Sequence, residues 1–470
     1  MEKSVDKDTT SSSLYARAEK IYPREVHGIF AFWRNFSMLL LLGIYYVTPW
    51  LQWGDRQAVL LDLPERKFYI FGLTFWPQDF FFFALLLIIA ALSLFFFTAI
   101  AGRLWCGYAC PQTVWTEIFM WIERKIEGSR PQQMKLDKSP WTARKILIKS
   151  TKQLAWIGFA FFTGFTFIGY FTPIMEIGHK ILSLSLGPWE TFWIIFYSFA
   201  TYGNAGFMRE QVCIYMCPYA RFQSAMFDKD TLIISYDKDR GEPRGSRKKD
   251  VDPKAKGLGD CIDCTMCVQV CPTGIDIRDG LQYQCIACSA CIDVCNDVMD
   301  KMGYARNLIR YTTTHTEEGT PAHIIRPRVI IYALILIGMM SGLVYGISQR
   351  VPIGLDVFRD RSRLYQTTDE GLIENIYTLR IINMDEAPHS FSLKVSGITD
   401  VRQPDKTDKI SLQAGEVKEI ILRLQADPYD LKAQSTNVNF ELQANDDPKI
   451  HTSEEGRFLG PGPKGRPGPR

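Results

Sequence analysis

Residues 261–272 read CIDCTMCVQVCP and residues 285–295 read CIACSACIDVC, two copies of one spacing, C-x2-C-x2-C-x3-C. Three thiolates three residues apart can wrap one corner of an iron–sulfur cubane, and the fourth, set off by the longer gap, points to a neighbouring cluster. The spacing therefore predicts two [4Fe–4S] clusters with exchanged fourth ligands. Cys261, Cys264, Cys267 and Cys295 hold one; Cys285, Cys288, Cys291 and Cys271 hold the other. Pro272 follows the first run, whereas Asn296 stands at the same place after the second. Proline supplies no ligand, so the substitution leaves ligation untouched. Structural zinc takes two cysteine pairs with a longer spacer, and disulfides are rare in the cytosol that the lysine-rich flanks suggest.

The chain of 470 residues is too long for one compact domain and is expected to hold three units. Its formal net charge of +3 gives no sign of a nucleic-acid partner. Aromatic residues make up 13% of it and gather in runs of Phe and Leu, which points to lipid as the partner instead. The twelve cysteines fall into the two runs and two pairs, Cys106 with Cys110 and Cys213 with Cys217. None follows Cys295, so the C-terminal part must fold by packing alone.

Five apolar segments are long enough to be read as membrane spans, at 36–53, 79–101, 153–172, 188–207 and 328–347. Pro49 is expected to kink the outer end of the first, and Glu190 weakens the fourth. Residues 1–35 are polar and lack the pattern of a cleaved signal peptide. The stretch 102–152 carries ten Lys or Arg, against three in 54–78 and one in 174–187. Basic residues resist translocation in short loops, so the N-terminus, the 102–152 loop and the cysteine runs are expected in the cytoplasm, and residues beyond 350 outside. Residues 208–327 are read as one cytoplasmic segment around a two-cluster α+β domain with its core at 255–305. Within it KDRGEPRGSRKKD (238–250) reads as a solvated loop, with docking to anionic headgroups as the other reading.

Beyond the fifth span the texture changes to short alternating segments, Ile376 to Ile382, Phe391 to Val395, Val417 to Leu424 and Asn437 to Leu442. Such alternation between turns predicts a β-sandwich over 350–459. It carries no ligand cluster and reads as a structural or partner-binding module. The tail 460–470, rich in Gly and Pro, is expected to be disordered.

The two remaining pairs share a pattern. RLWCGYACPQ (103–112) and EQVCIYMCPYA (210–220) both contain C-x3-C-P, each just past an apolar span. Cysteines four apart would share one helical face, and the proline marks a place where a helix starts or stops. Cys106, Cys110, Cys213 and Cys217 could thus converge at the membrane surface. Three readings stay open: buried thiols acting as small apolar groups, a thiol–disulfide relay, or a thiolate site for a soft ion, Cu(I) on ligand softness.

Several long strings now carry a resemblance: IYPREVHGIF (21–30), DLPERKFYIFGLTFWPQDFF (62–81), AGRLWCGYACPQTVWTEIFMWIERKIEG (101–128), GFTFIGYFTP (164–173), IENIYTLRIIN (373–383) and RFLGPG (457–462). Together with the eight-cysteine core they resemble the cytochrome c oxidase accessory proteins known as CcoG, FixG or RdxA. The resemblance implies an inner-membrane protein with an immunoglobulin-like outer domain that reduces Cu(II) to Cu(I) for a high-affinity haem–copper oxidase. Copper chaperones or assembly factors and the oxidase subunits would be its partners. It implies cluster ligation by the eight cysteines above and a role for the four C-x3-C-P cysteines, candidate catalytic and copper-binding residues. A quinol-linked ferredoxin conduit and an assembly scaffold with structural clusters are the competing functions. The electron donor is not legible, because no Gly-rich nucleotide loop or flavin motif appears.

Overall fold

The computed structural model describes residues 20–249, 256–385, 387–404, 409–431 and 433–461. The expected disordered tail lies outside the described residues from 462 onward, as does most of the polar N-terminal segment. The chain divides into two compact units, residues 1–65 with 85–339, and residues 66–84 with 340–470.

In the first unit, α1 (Ile29–Val47) starts seven residues before the expected span, because the apolar stretch from Ile29 continues the helical face. Its N-terminus is held by the buried Asp293, whose carboxylate accepts from the amides of Phe30 (3.3 Å) and Ala31 (2.7 Å). A negative charge there meets the open amides of the first turn. Pro49 ends the regular helix as a tight turn over Thr48–Trp50. The helix α2 (Phe80–Ala101) contains no Gly or Pro and stops at Gly102, whose φ of +56° no branched residue takes easily. A side chain there would also strike the Leu232 carbonyl at 2.5 Å.

Then follow α3 (Leu104–Tyr108), α4 (Pro111–Glu127), α5 (Arg130–Lys138), α6 (Ala143–Ile168), α7 (Ile174–Leu182) and α8 (Pro188–Thr201). The helices α6 and α8 approach closely at Gly164, where a Cβ would lie 2.6 Å from the Ile194 carbonyl. After α8 the helix widens into π turns over Tyr202–Met208 and again over Val212–Met216, and α9 spans Pro218–Met226.

Among the described residues, three helices are long and apolar enough to cross a membrane, Ile29–Trp50, Pro77–Ala101 and Pro327–Ser348. Their apolar side chains face outward: Leu39 is 65% exposed, Leu87 70% and Ile337 61%. Such a helix has its natural solvent in lipid. The other two expected spans differ. Arg144, Lys145, Lys149 and Lys152 stud the first turns of α6, and α8 has only 14 residues before it widens. The lysines of α6 are not free charges: Lys149 and Lys152 reach the buried Glu127 of α4 at 2.8 and 2.9 Å.

The iron–sulfur part is larger than the expected 255–305 core. Strand Ile233–Tyr236 pairs antiparallel with Ile309–Thr312, and the cysteine runs lie between them. The stretch 238–249 is not the solvated loop expected from its charge. A helical turn, α10 (Lys238–Gly241), starts it, Arg240 pairs with Asp260 at 2.6 Å, and Arg247 donates to Tyr304 and to the carbonyls of Gly259 and Cys261. Carbonyls left open by irregular cluster loops need donors, and these arginines supply them. The runs carry α11 (Met266–Gln269) and α12 (Ala290–Met302); α13 (Thr314–Glu317) and α14 (Pro327–Ser348) follow.

The second unit contains a β-sandwich of two four-stranded antiparallel sheets. One joins Ile353–Arg359, Gln366–Thr367, Ile373–Asn383 and Val417–Ala426; the other joins His389–Ser396, Ile410–Leu412, Ser435–Ala444 and His451–Leu459. All four alternating segments read from sequence lie within these strands. Tyr377, Leu379, Ile381, Phe391, Phe440, Leu442 and Phe458 are fully buried between the sheets. Tyr377 also donates to the Arg457 carbonyl at 3.0 Å, and Asn375 exchanges two hydrogen bonds with Leu459.

Candidate functional site

Both cysteine runs adopt the same backbone. Asp263 and Thr265 in the first, and Ala287 and Ser289 in the second, have φ between 53° and 61°. Each left-handed residue reverses the chain between two cysteines, so that three sulfurs can face one centre. Two small cavities result. One is lined by Cys261, Cys264, Cys267 and Cys295, beside Tyr236, Arg278 and Leu308. The other is lined by Cys271, Cys285, Cys288 and Cys291, with Cys267 between the two. The fourth cysteine of each run thus stands in the wall of the other run's cavity.

The electrostatics report the same sets. Burial, then Cys267, Cys261 and Cys264, push the Cys295 thiol up to about 12. Burial, then Cys288, Cys285 and Cys271, push Cys291 well up. Four thiolates cannot share a dry cavity unless a cation neutralises them, so the donor set suits iron. Among the described residues, no three His, Cys, Asp or Glu side chains close on a point as one metal ion requires. A cubane is wider than one ion and suits such a ring of sulfurs.

The two sites differ in exposure. Cys264 is exposed and opens the first site to solvent. In the second site Cys288 is buried, and it packs in one apolar cluster with Cys106 of α3 and Val26. Asn296 lies inside α12, where a proline would break the helix, and its side chain accepts from the Asn307 amide at 2.8 Å. Pro272 instead follows a break at Cys271.

The two C-x3-C-P motifs also share one local form, though not the expected one. Cys106 lies in α3, while Cys110 is the extended residue capping α4, and Pro111 is the first residue of that helix. Cys213 lies in a π turn, Cys217 is the extended cap of α9, and Pro218 begins it. The pairs therefore do not share a helical face, because proline starts a new helix at each. The four thiols nevertheless stand near one another. Burial, then Cys110 and further Cys213, raise Cys106 to about 12; burial, then Cys110 and Cys217, raise Cys213 to about 11. The Cys106 thiol donates to the Gln223 side chain at 3.3 Å, and Gln223 is fully buried.

This group abuts the second cluster site. At Gly107 a Cβ would lie 2.7 Å from the Ile286 carbonyl and 2.9 Å from Ala287, so only glycine lets α3 seat on the Cys285–Cys288 loop. Cys106 packs with Ile286 and Cys288 in one apolar cluster. Tyr108 donates to Ser289 at 3.2 Å, and Ser289 to Tyr311. A cavity of about 510 Å³ beside this contact has both Cys213 and Cys288 in its wall. Sequence reasoning missed Gly107, Gln223, Arg34 and Arg103. The only signal was their nearness to the motifs, which does not separate function from chance.

A model of a 4Fe-4S dicluster domain matches residues 208–314, a 4Fe-4S binding domain matches 83–128, and the IG-like fold found at the C-terminal end of FixG matches 343–461. RdxA of Cereibacter sphaeroides is 42% identical over 409 residues, 83% of this chain and 85% of its own. RdxB of the same organism is 41% identical over 409 residues, 84% and 85% of the two chains. The nitrogen fixation protein FixG of Rhizobium meliloti is 36% identical over 453 residues, 88% and 85%. Apolar helices, two cysteine-lined cavities and an Ig-like sandwich thus occur together in a chain that belongs to the FixG/RdxA family of membrane iron–sulfur electron-transfer proteins.

Proposed function

We propose that this protein reduces Cu(II) to Cu(I) for the copper centre of a high-affinity haem–copper cytochrome c oxidase, with Cys106, Cys110, Cys213 and Cys217 receiving the ion. The observation that carries this is the seating of α3 on the Cys285–Cys288 loop, which sets Cys106, one of the four thiols, against a cluster site. Cys261, Cys264, Cys267 and Cys295 hold one cluster, and Cys271, Cys285, Cys288 and Cys291 the other. When bound, the clusters supply one-electron couples. Cys264 offers a face that a reductant in solution can approach. Thiolates favour Cu(I) over Cu(II), and although no three of these thiols close on one point, ligation by a pair of them would assist the reduction.

The reading places five helices across a bacterial inner membrane, α6 and α8 with its π extension among them. The N-terminus and cluster domain are cytoplasmic and the sandwich periplasmic, in keeping with the charge asymmetry of the loops. The sandwich is free to meet oxidase subunits or copper-delivery factors. The test is Cu(II)-dependent oxidation of the reduced, iron-loaded protein. Cys→Ala at all four C-x3-C-P positions should slow it at least tenfold while two clusters' worth of iron remains. Oxidation at the wild-type rate would remove copper from these thiols.

A second reading has its own support, since the 4Fe-4S binding model at 83–128 covers Cys106 and Cys110. In it the four thiols hold a third iron–sulfur cluster, and the quadruple variant would lose about a third of the iron.

A further inference from the structure

We infer that two guanidiniums, the buried Arg103 and the half-buried Arg34, raise the reduction potential of the cluster held by Cys271, Cys285, Cys288 and Cys291 above that of its partner, directing electrons inward from the exposed Cys264. The inference rests on the cysteine sets proposed for the two clusters.

Arg103 is 6% exposed and spends its hydrogen bonds on carbonyls alone: Tyr283, Cys285 at 3.3 Å and Ala220 at 2.7 Å. Arg34 donates to the Cys288 carbonyl at 3.2 Å, and its Nε is buried without a partner. Among the described residues, neither guanidinium has a carboxylate within ion-pair distance. Asp293 and Glu117 act on Arg34 from further off, and each is engaged elsewhere, Asp293 at the start of α1 and Glu117 with Arg124. Two cations thus stand on carbonyls of two cysteines of one cluster.

The exposed site is arranged differently. The arginine in its wall, Arg278, is neutralised by Asp276 and Asp263, both at 2.6 Å. Arg247 reaches the Cys261 carbonyl at 3.3 Å and is half-buried like Arg34, so these two charges are alike and the fully buried Arg103 makes the difference between the sites. Adding an electron makes a cluster more negative, and an uncompensated buried cation stabilises that form far more than a paired or hydrated one. Arg103 also faces Cys106 and Cys213, so the same charge favours thiolate at the far end.

The experiment is a redox titration of the full-length, iron-loaded protein followed by paramagnetic resonance, with the signals assigned by Cys285→Ser and Cys261→Ser. At the wild-type midpoint of the inner cluster, Arg103→Gln should lower its ratio of reduced to oxidised form about tenfold, which is about 59 mV for a one-electron couple. The outer cluster's midpoint should stay put, and Arg103→Lys should keep most of the wild-type value. Should Arg103→Gln not assemble, Arg34→Gln reads out the same effect with a smaller shift of the same sign. Unmoved midpoints at full iron content, or equal shifts of both clusters, would overturn the inference. Failure of the ligand sets would show separately, as the wrong signal lost in the cysteine variants.

Discussion

The cysteine-rich domain between Ile233 and Thr312 and the sandwich between Ile353 and Leu459 solve the problem of a small core in opposite ways. In the sandwich the core is aromatic and aliphatic throughout, with Tyr377, Phe391, Phe440 and Phe458 wholly buried between two sheets. In the cysteine-rich domain the apolar clusters are small and the cysteines are themselves members of them. Thiols whose charge is unwelcome when buried occupy the place that Phe and Leu take in the sandwich. Packing alone closes one fold; the other needs iron to hold its loops and cancel its sulfur charge.

Iron removal is the largest test of that contrast. Anaerobic chelation should abolish hydrogen-exchange protection across 233–312 and leave 353–459 protected; equal loss in both would break it. Cys271→Ser comes next. Because Cys271 lines the cavity of the second run, the variant should lose the cluster of Cys285, Cys288 and Cys291, while Cys261, Cys264, Cys267 and Cys295 keep theirs. Iron analysis with paramagnetic resonance decides this, and loss of the opposite signal would refute the exchange of ligands.

On the sandwich side, Phe440→Ala should cost about 3–5 kcal/mol in denaturant unfolding of that domain. Iron content should not change. Asn296→Pro should cost about 3 kcal/mol by interrupting α12, and it sharpens the comparison by asking whether iron ligation can hold a broken helix. Reduced thermal stability with intact clusters is expected.

The smallest effect lies at His389. Its ring bonds Asp446 at 2.5 Å and Asp385 at 3.0 Å. Burial would lower its pKa, but the two carboxylates outweigh it and the net shift is upward. Stability from this contact is then fully present below the unfolded value of about 6.5 and fades as pH rises through the folded value. Unfolding curves of the sandwich from pH 5 to 9 should show this fall, and His389→Gln should flatten it.

Much of the site was legible because iron–sulfur ligation is written in short spacings. The exchange of Cys271 and Cys295 between cavities follows from one longer gap in each run. The strands of the sandwich were legible because alternation has a period of two and reports burial directly. The C-x3-C-P geometry was misread because helical periodicity was assumed across a proline that starts a new helix. The charged stretch 238–249 was misread because composition does not tell a hydrated arginine from one that caps carbonyls.

The sequence by itself made legible the two cysteine runs, three of the five expected apolar helices and the repeated thiol motif, all of which depend on residues close together in the chain. Only the tertiary structure decided which cluster site is exposed, that Gly107 brings Cys106 against the Cys285–Cys288 loop, and that Arg103 lies buried with no carboxylate at ion-pair distance among the described residues. The physical reason is that potential and electron path depend on distance and burial between segments far apart in sequence. No local pattern encodes which charge will stand dry beside which sulfur.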